Sequence, residues 1–250
     1  MDYLIAFIIF LYGSILTSFY ILVGMRLPMK KTLLGRSECD ACGAVIPWFG
    51  LVPILGYFLV RGQCATCETK VSIKYPAYEL VGGLLFALSY WLMRDNMVEY
   101  AIVSIMLSLM IIVTVSDLEH RIVPDRVLLV FLPILLVLRV LFPLTNWVAV
   151  VLGGVLGFGI MYLLAIYGQK RFKQEALGGG DIKLYLLIGL FLEVQLVFLS
   201  LFFASIFGLL IGQFLKKKMT HVPFVPFIFV GVILAYLYGP ALMQWYLGLF

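Results

Sequence analysis

Eight apolar stretches, near residues 3–25, 76–93, 97–116, 127–143, 147–168, 181–194, 196–215 and 222–247, take up most of this 250-residue chain. A helix needs about 20 apolar residues to cross a hydrocarbon core of about 30 Å. Each stretch reaches that length or comes near it, the sixth being the shortest. Inside a bilayer the backbone must satisfy its own hydrogen bonds, so segments of this kind are helices. Hydrophobic residues make up 64% of the chain and charged residues 12%. A soluble domain carries about twice that charge fraction. The expected fold is therefore an all-α polytopic membrane protein of about eight transmembrane helices. The net charge of +5 then needs no nucleic-acid partner, because membrane proteins use Lys and Arg to set their topology.

The first stretch differs from a signal peptide. Asp2 precedes it in place of a basic region, it is too long for a signal-peptide core, and its positive charges (Arg26, Lys30, Lys31) come after it. It is expected to stay as a transmembrane helix with its N-terminus outside. Alternating crossings from there leave four cytoplasmic loops. These hold Arg26, Lys30, Lys31, Arg36, Arg61, Lys70 and Lys74; Arg121 and Arg126; Lys170, Arg171, Lys173 and Lys183; and Lys216, Lys217 and Lys218. Only Arg94 and Arg139 fall outside, so sixteen of the eighteen basic residues share one side. That bias fixes the orientation, with both termini outside. The pattern divides the chain into a first transmembrane helix over 1–25, a cytoplasmic loop over 26–75 and a transmembrane core over 76–250.

The loop contains all four cysteines, as Cys39-Asp-Ala-Cys42 and Cys64-Ala-Thr-Cys67, with 21 residues between the pairs. Two CxxC pairs at such spacing fit a tetrahedral four-cysteine zinc site, and Gly43 and Gly62 stand where tight turns are useful. Disulfides are the competing arrangement, but thiols stay reduced in the cytoplasm. Four protein thiolates leave no open position for water, so the expected zinc is structural.

Two acids stand at the mouths of apolar stretches. Asp117 directly follows one, in Ser116-Asp-Leu-Glu-His-Arg-Ile-Val-Pro-Asp-Arg126; Asp181 directly precedes another, in Leu177-Gly-Gly-Gly-Asp-Ile-Lys-Leu184. In the expected topology both lie at the cytoplasmic face, although they are 64 residues apart. A single acid at a helix end is ordinarily a cap or an interface residue, and Asp125, after Pro124, is expected to be an N-cap. Asp117 and Asp181 differ in their company. Gly178, Gly179 and Gly180 give Asp181 a backbone that takes positive φ and admits a peptide at close range. Two adjoining carboxylates cannot both ionise easily, so one keeps a proton. One charged and one neutral acid can activate a water and protonate a leaving amine. Dipoles assign the base to Asp181, at a helix N-terminus, over Asp117, at a C-terminus.

At these residues the sequence resembles the prepilin peptidases (type IV leader peptidases), a family of intramembrane GxGD aspartyl proteases. Gly178, Gly180 and Asp181 match the GxGD motif, and Lys183 its usual continuation. The run from Asp117 to Asp125 matches the segment carrying the first catalytic aspartate. Cys39, Cys42, Cys64 and Cys67 match the zinc-binding loop, and Tyr75-Pro-Ala-Tyr-Glu79 matches the entry to the second helix. The resemblance implies catalytic Asp117 and Asp181, structural zinc, and cleavage of the short basic leader of prepilins and pseudopilins. The cut falls after a glycine, on the cytoplasmic side, before the substrate's hydrophobic helix. It also implies N-methylation of the new amine from S-adenosylmethionine, as in many members. The family usually shows Gly-Ser-Phe and a nearby Asn in the first helix; here Thr17 replaces the Gly and Ile21 stands where the Asn would. Length and first helix look most like the competence-type members of Gram-positive bacteria.

Glu79 is a carboxylate about one turn into an apolar stretch, costly unless paired or wet; by resemblance it serves substrate or cofactor binding, and Glu79 or Glu119 would attract a basic leader. Arg139 and Glu193 read as ordinary loop-edge charges, His221 as structural before Pro223, and Lys216 to Lys218 as a topology anchor. The many Phe and Tyr side chains read as lipid-facing or packing groups. Intramembrane acids also mark ion paths, so a transporter or proton relay is the alternative function. A zinc-loop scaffold with the acids as caps is the third.

Overall fold

The computed structural model describes residues 2–39, 41–173, 177–216 and 222–248. Its elements are α1 (Asp2–Arg26), a 3-10 turn (Trp48–Leu51), α2 (Leu55–Leu59), α3 (Lys74–Met93), α4 (Met97–His120), α5 (Asp125–Leu141), α6 (Trp147–Phe172), α7 (Gly179–Lys216) and α8 (Val225–Leu247). Among the described residues there is no strand, only two isolated antiparallel bridges, Glu38 with Val45 and Gln63 with Lys70. Every expected apolar stretch is helical. α7 takes in two of them, because its backbone leaves the helix at Glu193 (φ 60°, ψ 176°) and two helical stretches meet there. Among the described residues five helices, α1, α4, α6, α7 and α8, are long and apolar enough to cross a membrane. The 17 residues of α5 reach only about 26 Å, and α3 carries Glu79 within it. The chain is a helical, multi-pass membrane protein. His221, Lys217 and Lys218 lie outside the described residues.

The chain divides into two compact units, Met1–Val115 and Ser116–Phe250. In the first, α1 and α3 pack along small residues: a Cβ added at Gly82 or Gly83 would collide with Thr17 or Ser14, and one at Gly13 would lie 2.7 Å from the Phe86 Cβ. Close approach of this kind is how helices associate in lipid, where no hydrophobic force separates them from the solvent. Thr17 and Ser14 return their hydroxyls to their own helix, at 2.7 Å to the Gly13 carbonyl and 2.9 Å to that of Phe10. Ile21, where the resemblance would have Asn, is 5% exposed and packs as an apolar side chain.

In the second unit α7 is the hub. It packs against α6 where Gly153 and Gly189 meet backbone to backbone, and against α8 where Gly231 lies on Ser200 and Ala204. Arg139 and Glu193 correct the expectation of loop-edge charges, being 0% and 2% exposed. The Glu193 carboxylate accepts from the Leu144 amide at 2.5 Å, from the Thr145 amide at 3.1 Å, and from the Thr145 hydroxyl. Arg139 donates to the Phe142 carbonyl at 3.5 Å and lies 4.7 Å from the centre of the Phe191 ring. The α5–α6 connection thus folds over the break in α7. A buried acid there satisfies amides that have no water to turn to.

Candidate active site

Asp117 lies in the last turn of α4. The chain stops there because Arg121 takes a left-handed conformation (φ 58°), its amide bonding back to the Asp117 carbonyl at 2.9 Å. The Ser116 hydroxyl donates to the Ile122 carbonyl, closing the turn that leads into α5. The Asp117 side chain is buried, 7% exposed. Its Oδ2 accepts from the Val225 amide at 2.9 Å, and the Phe224 amide lies alongside. Val225 opens α8, and the first amides of a helix have no partner within it. The free end of α8 therefore meets Asp117.

Asp181 is in the first turn of α7 and turns its carboxylate back toward the Gly178 amide. It is half-buried and lies near enough to Asp117 for the charge of that carboxylate to act on it. None of Gly178, Gly179 and Gly180 takes the positive φ expected of them; the last two already belong to α7. Their value is spatial and unequal. A Cβ at Gly180 would stand 2.7 Å from the Val123 Cβ, whereas one at Gly179 meets nothing within 4 Å. Gly180 thus lets the start of α7 press against the segment that follows Asp117. Asp125 is not the expected cap: Pro124 occupies the N-cap position without a side-chain bond, and both Asp125 oxygens accept from Lys183 at 2.8 Å. This ion pair ties the start of α5 to the start of α7.

The dipole argument for Asp181 as the base considered each acid on its own helix. Asp117 also meets a helix N-terminus, that of α8, so dipoles no longer separate the pair. Val225 and Phe224 are the participants that sequence reasoning missed. The signal was present in Pro223 and Pro226, which break the chain and restart it, leaving the Val225 amide free. The destination of that amide was not readable.

Glu79 sits elsewhere, in the first unit. Its Oε2 accepts from the Ile54 amide at 2.7 Å, holding a β-branched residue at φ 63°, an uncommon backbone for such a side chain.

The four cysteines converge, all sulfurs lying within 4.8 Å of one another. Cys39 to Cys67 is 3.8 Å and Cys42 to Cys64 is 3.9 Å. A tetrahedron of sulfurs about 2.3 Å from a zinc ion has edges of about 3.8 Å, while a disulfide is about 2.05 Å. The geometry fits a metal ion. Each pair is built alike: the Cys39 amide bonds the Ala44 carbonyl and the Cys64 amide the Thr69 carbonyl, both at 2.9 Å. The fourth residue past each first cysteine, Gly43 (φ 70°) and Glu68 (φ 58°), is left-handed, and its amide bonds back to the first cysteine's carbonyl at 2.8 and 3.0 Å, closing the turn that carries the second cysteine. Thr69, through its hydroxyl and then its amide, holds the Cys67 thiol down at about 6. The Cys67 and Thr66 amides lower that of Cys64. Cys42 goes the other way: although the Ala44 amide lowers it, the neighbouring sulfurs, Cys67 foremost, push it up to about 12, so only Cys64 and Cys67 favour the thiolate before a cation is bound.

Residues 11–93 match the Bacterial Peptidase A24 N-terminal domain and residues 104–213 the Type IV leader peptidase family. A Bacillus subtilis (strain 168) protein named prepilin leader peptidase/N-methyltransferase is 35% identical over 246 residues, which is 96% of this chain and 97% of that one. Proteins of the same name from Myxococcus xanthus (strain DK1622) and Vibrio cholerae serotype O1 are 32% and 27% identical. They cover 84% and 90% of this chain, and 62% and 92% of their own lengths. No solved structure matches.

Proposed function

The chain belongs to the type IV leader peptidase family, in its competence-type branch, and from that premise we propose that it is an intramembrane aspartyl endopeptidase. Its substrates are prepilins or pseudopilins, cut after a glycine on the cytoplasmic side to release a short basic leader. The observation that supports this is the packing of Gly180, beside Asp181, on Val123 of the segment that follows Asp117, with the charge of Asp117 acting on Asp181. In the singly protonated pair, the carboxylate takes a proton from water as the water oxygen attacks the scissile carbonyl carbon. The partner acid gives its proton to the peptide nitrogen as the C–N bond breaks. The leader leaves as a carboxylic acid and the remainder as a free amine, and the pair again holds one proton. The Val225 amide fixes the Asp117 carboxylate, while Gly180 and the Lys183–Asp125 pair set the spacing of the two acid-bearing segments. Gly178 and Gly179 leave the approach to Asp181 open for a peptide backbone.

N-methylation of the new amine, with S-adenosylmethionine as methyl donor, belongs to the same proposal; it is named for the relatives. Zinc is the ion assigned to Cys39, Cys42, Cys64 and Cys67, where it would cross-link the loop and, with four thiolate ligands, take no part in hydrolysis. Glu79 steadies that loop through Ile54, and its part in substrate or cofactor binding rests on the resemblance. The distribution of basic residues supports placing the loop and the aspartates in the cytoplasm and the termini outside.

Cleavage of a pseudopilin precursor in membranes, by wild type, Asp117→Asn and Asp181→Asn at equal membrane levels, tests the reading. Removing one member of an acid–base pair costs about 10²–10⁴-fold. Residues acting as a unit are not additive, so the double variant should fall little further than either single one. Cleavage by both single variants at the wild-type rate would make the acids structural and return the transporter to first place.

A further inference from the structure

Beside the acids, a groove of about 290 Å³ runs between the second half of α7 and the entry to α8. Ser205, Gly208 and Gly212 form its floor, at helical spacing on one face of α7, and Pro223, Phe224 and Phe227 form the facing wall. The floor is low because two of its three residues are glycines and the third is a serine. A Cβ at Gly208 would touch the Phe224 ring at 3.1 Å, and one at Gly212 would enter open space. Among the described lining residues the one polar side chain is Ser205, whose hydroxyl already donates to the Leu201 carbonyl at 2.7 Å. The wall is continuous with the active site: Phe224 lines the groove, and the amides of Phe224 and Val225 are those that face the Asp117 carboxylate.

We infer that this groove is a specificity subsite of the peptidase, seating a large apolar side chain of the substrate on the side of the scissile bond opposite the basic leader. The inference rests on the proposed peptidase function and adds to it the residues that read the substrate. A peptide whose carbonyl lies between Asp117 and Asp181 passes Phe224 within a residue or two of the cut. A lining whose described side chains bear no charge and, apart from the Ser205 hydroxyl, no polar group accepts an apolar side chain and rejects the charged leader, whose desolvation it could not repay. The volume suits one or two side chains of leucine or phenylalanine size and lies at the lower edge of the range, about 300–1,000 Å³, that holds a drug-sized ligand. Lipid acyl chains have the same chemistry and are the other occupant the test must separate.

The test is a kinetic cycle in detergent. A pseudopilin precursor and a series in which each large apolar residue near the cut is changed in turn to Ala are cleaved by wild type, Gly212→Ala and Gly212→Leu. Asp181→Asn serves as the inactive control, and thermal melting is followed for every variant. Wild type should lose about tenfold or more in kcat/KM when the reading residue is shortened. Gly212→Leu fills the groove from its open side, so it should lose a similar factor on the unchanged precursor and no longer distinguish the shortened one. Gly212→Ala should fall between. Discrimination kept intact in Gly212→Leu, whether overall cleavage is normal or uniformly reduced, overturns the subsite and leaves the groove to lipid. Because Gly212→Ala adds only a methyl group into open space, discrimination unchanged there in a fully folded enzyme, together with a Gly212→Leu that melts early, also counts against it. Absence of cleavage by wild type, or cleavage undiminished in Asp181→Asn, overturns the peptidase reading and this inference with it.

Discussion

Gly179 and Gly180 are adjacent glycines with opposite predicted responses to the same substitution. At Gly180 an added Cβ would stand 2.7 Å from the Val123 Cβ and 3.2 Å from its Cγ2. Carbon atoms pack best at about 3.5–4.0 Å, so the start of α7 must move about 1 Å from the segment after Asp117. Asp181 is the next residue and moves with it. A misplacement of about 1 Å costs about 10²-fold in rate, equivalent to about 2.7 kcal/mol of barrier. Overpacking costs about 1–3 kcal/mol of stability, but replacing a helical Gly by Ala returns about 1 kcal/mol, so the protein should stay folded. Gly180→Ala is therefore expected to cleave about 10²-fold more slowly at nearly unchanged melting temperature. Gly179→Ala, with nothing within 4 Å of its new methyl group, should cleave near the wild-type rate and melt slightly later. The assay is precursor cleavage in detergent with melting followed in parallel. Adding Val123→Gly to Gly180→Ala removes the colliding atoms and should recover much of the lost rate. Equal losses at both glycines would refute the steric account and point to a peptide lying against both; a normal rate in Gly180→Ala would refute the claim that this contact sets the spacing.

The Lys183–Asp125 pair, with side chains 51% and 59% exposed, is worth less than about 1 kcal/mol of stability. Lys183→Ala should nonetheless slow cleavage more than it lowers the melting temperature, and the swap Lys183→Asp with Asp125→Lys should recover rate; failure of the swap to do so would assign Lys183 a direct role. Cys64→Ser should strip the metal, read by elemental analysis of purified protein, and leave the loop open to proteolysis, whereas metal retained at the wild-type level would remove the four-thiolate site. Because thiolates are the ligands, metal affinity falls with falling pH. With Cys67 held at about 6, one more proton must be displaced below that pH, so the affinity should fall more steeply there. Glu193→Ala leaves the Leu144 and Thr145 amides and the Thr145 hydroxyl without their shared acceptor. At about 1–3 kcal/mol for each orphaned group, the melting temperature should drop sharply, with Glu193→Gln much milder; equal and small effects would place the carboxylate outside the fold's framework.

What the sequence could and could not convey divides along the range of the interactions. Apolar stretches report helices because the bilayer imposes their length, and the split of the longest helix at Glu193 was legible as two stretches meeting near residue 195. The packing of the segment after Asp117 on the start of α7, at Val123 and Gly180, is a contact between residues 57 positions apart that no local pattern announces. CxxC spacing carried the four-sulfur cluster because both knuckles are local turns. Contacts between distant backbone and side chain were hidden. The amide that holds Asp117 comes from a residue 108 positions away. Arg139 and Glu193 looked like loop edges because composition marks where a span ends but not that the next connection folds back over it. Asp125 had the neighbours of a cap; an exposed lysine 58 positions on took it instead.

The contact between Asp117 and α8 also changes how the pair can work. Read from sequence, the two acids sat at opposite ends of their helices, and the asymmetry suggested a fixed base and a fixed acid. In the structure each meets the amide end of a helix, Asp181 that of α7 and Asp117 that of α8. Peptide hydrolysis by a carboxylate pair inverts it: the member that took the water's proton ends the turnover protonated, and the one that protonated the amine ends it bare. With unlike surroundings, a proton must cross back before the next substrate can be cut. With a helix N-terminus at each acid, dipoles no longer single out Asp181 as the base; what still separates the two is that Asp117 is the more buried and faces two amides, Asp181 one. The Val225 amide, supplied by a chain restart between two prolines, is what removes the dipole bias from the proposed pair.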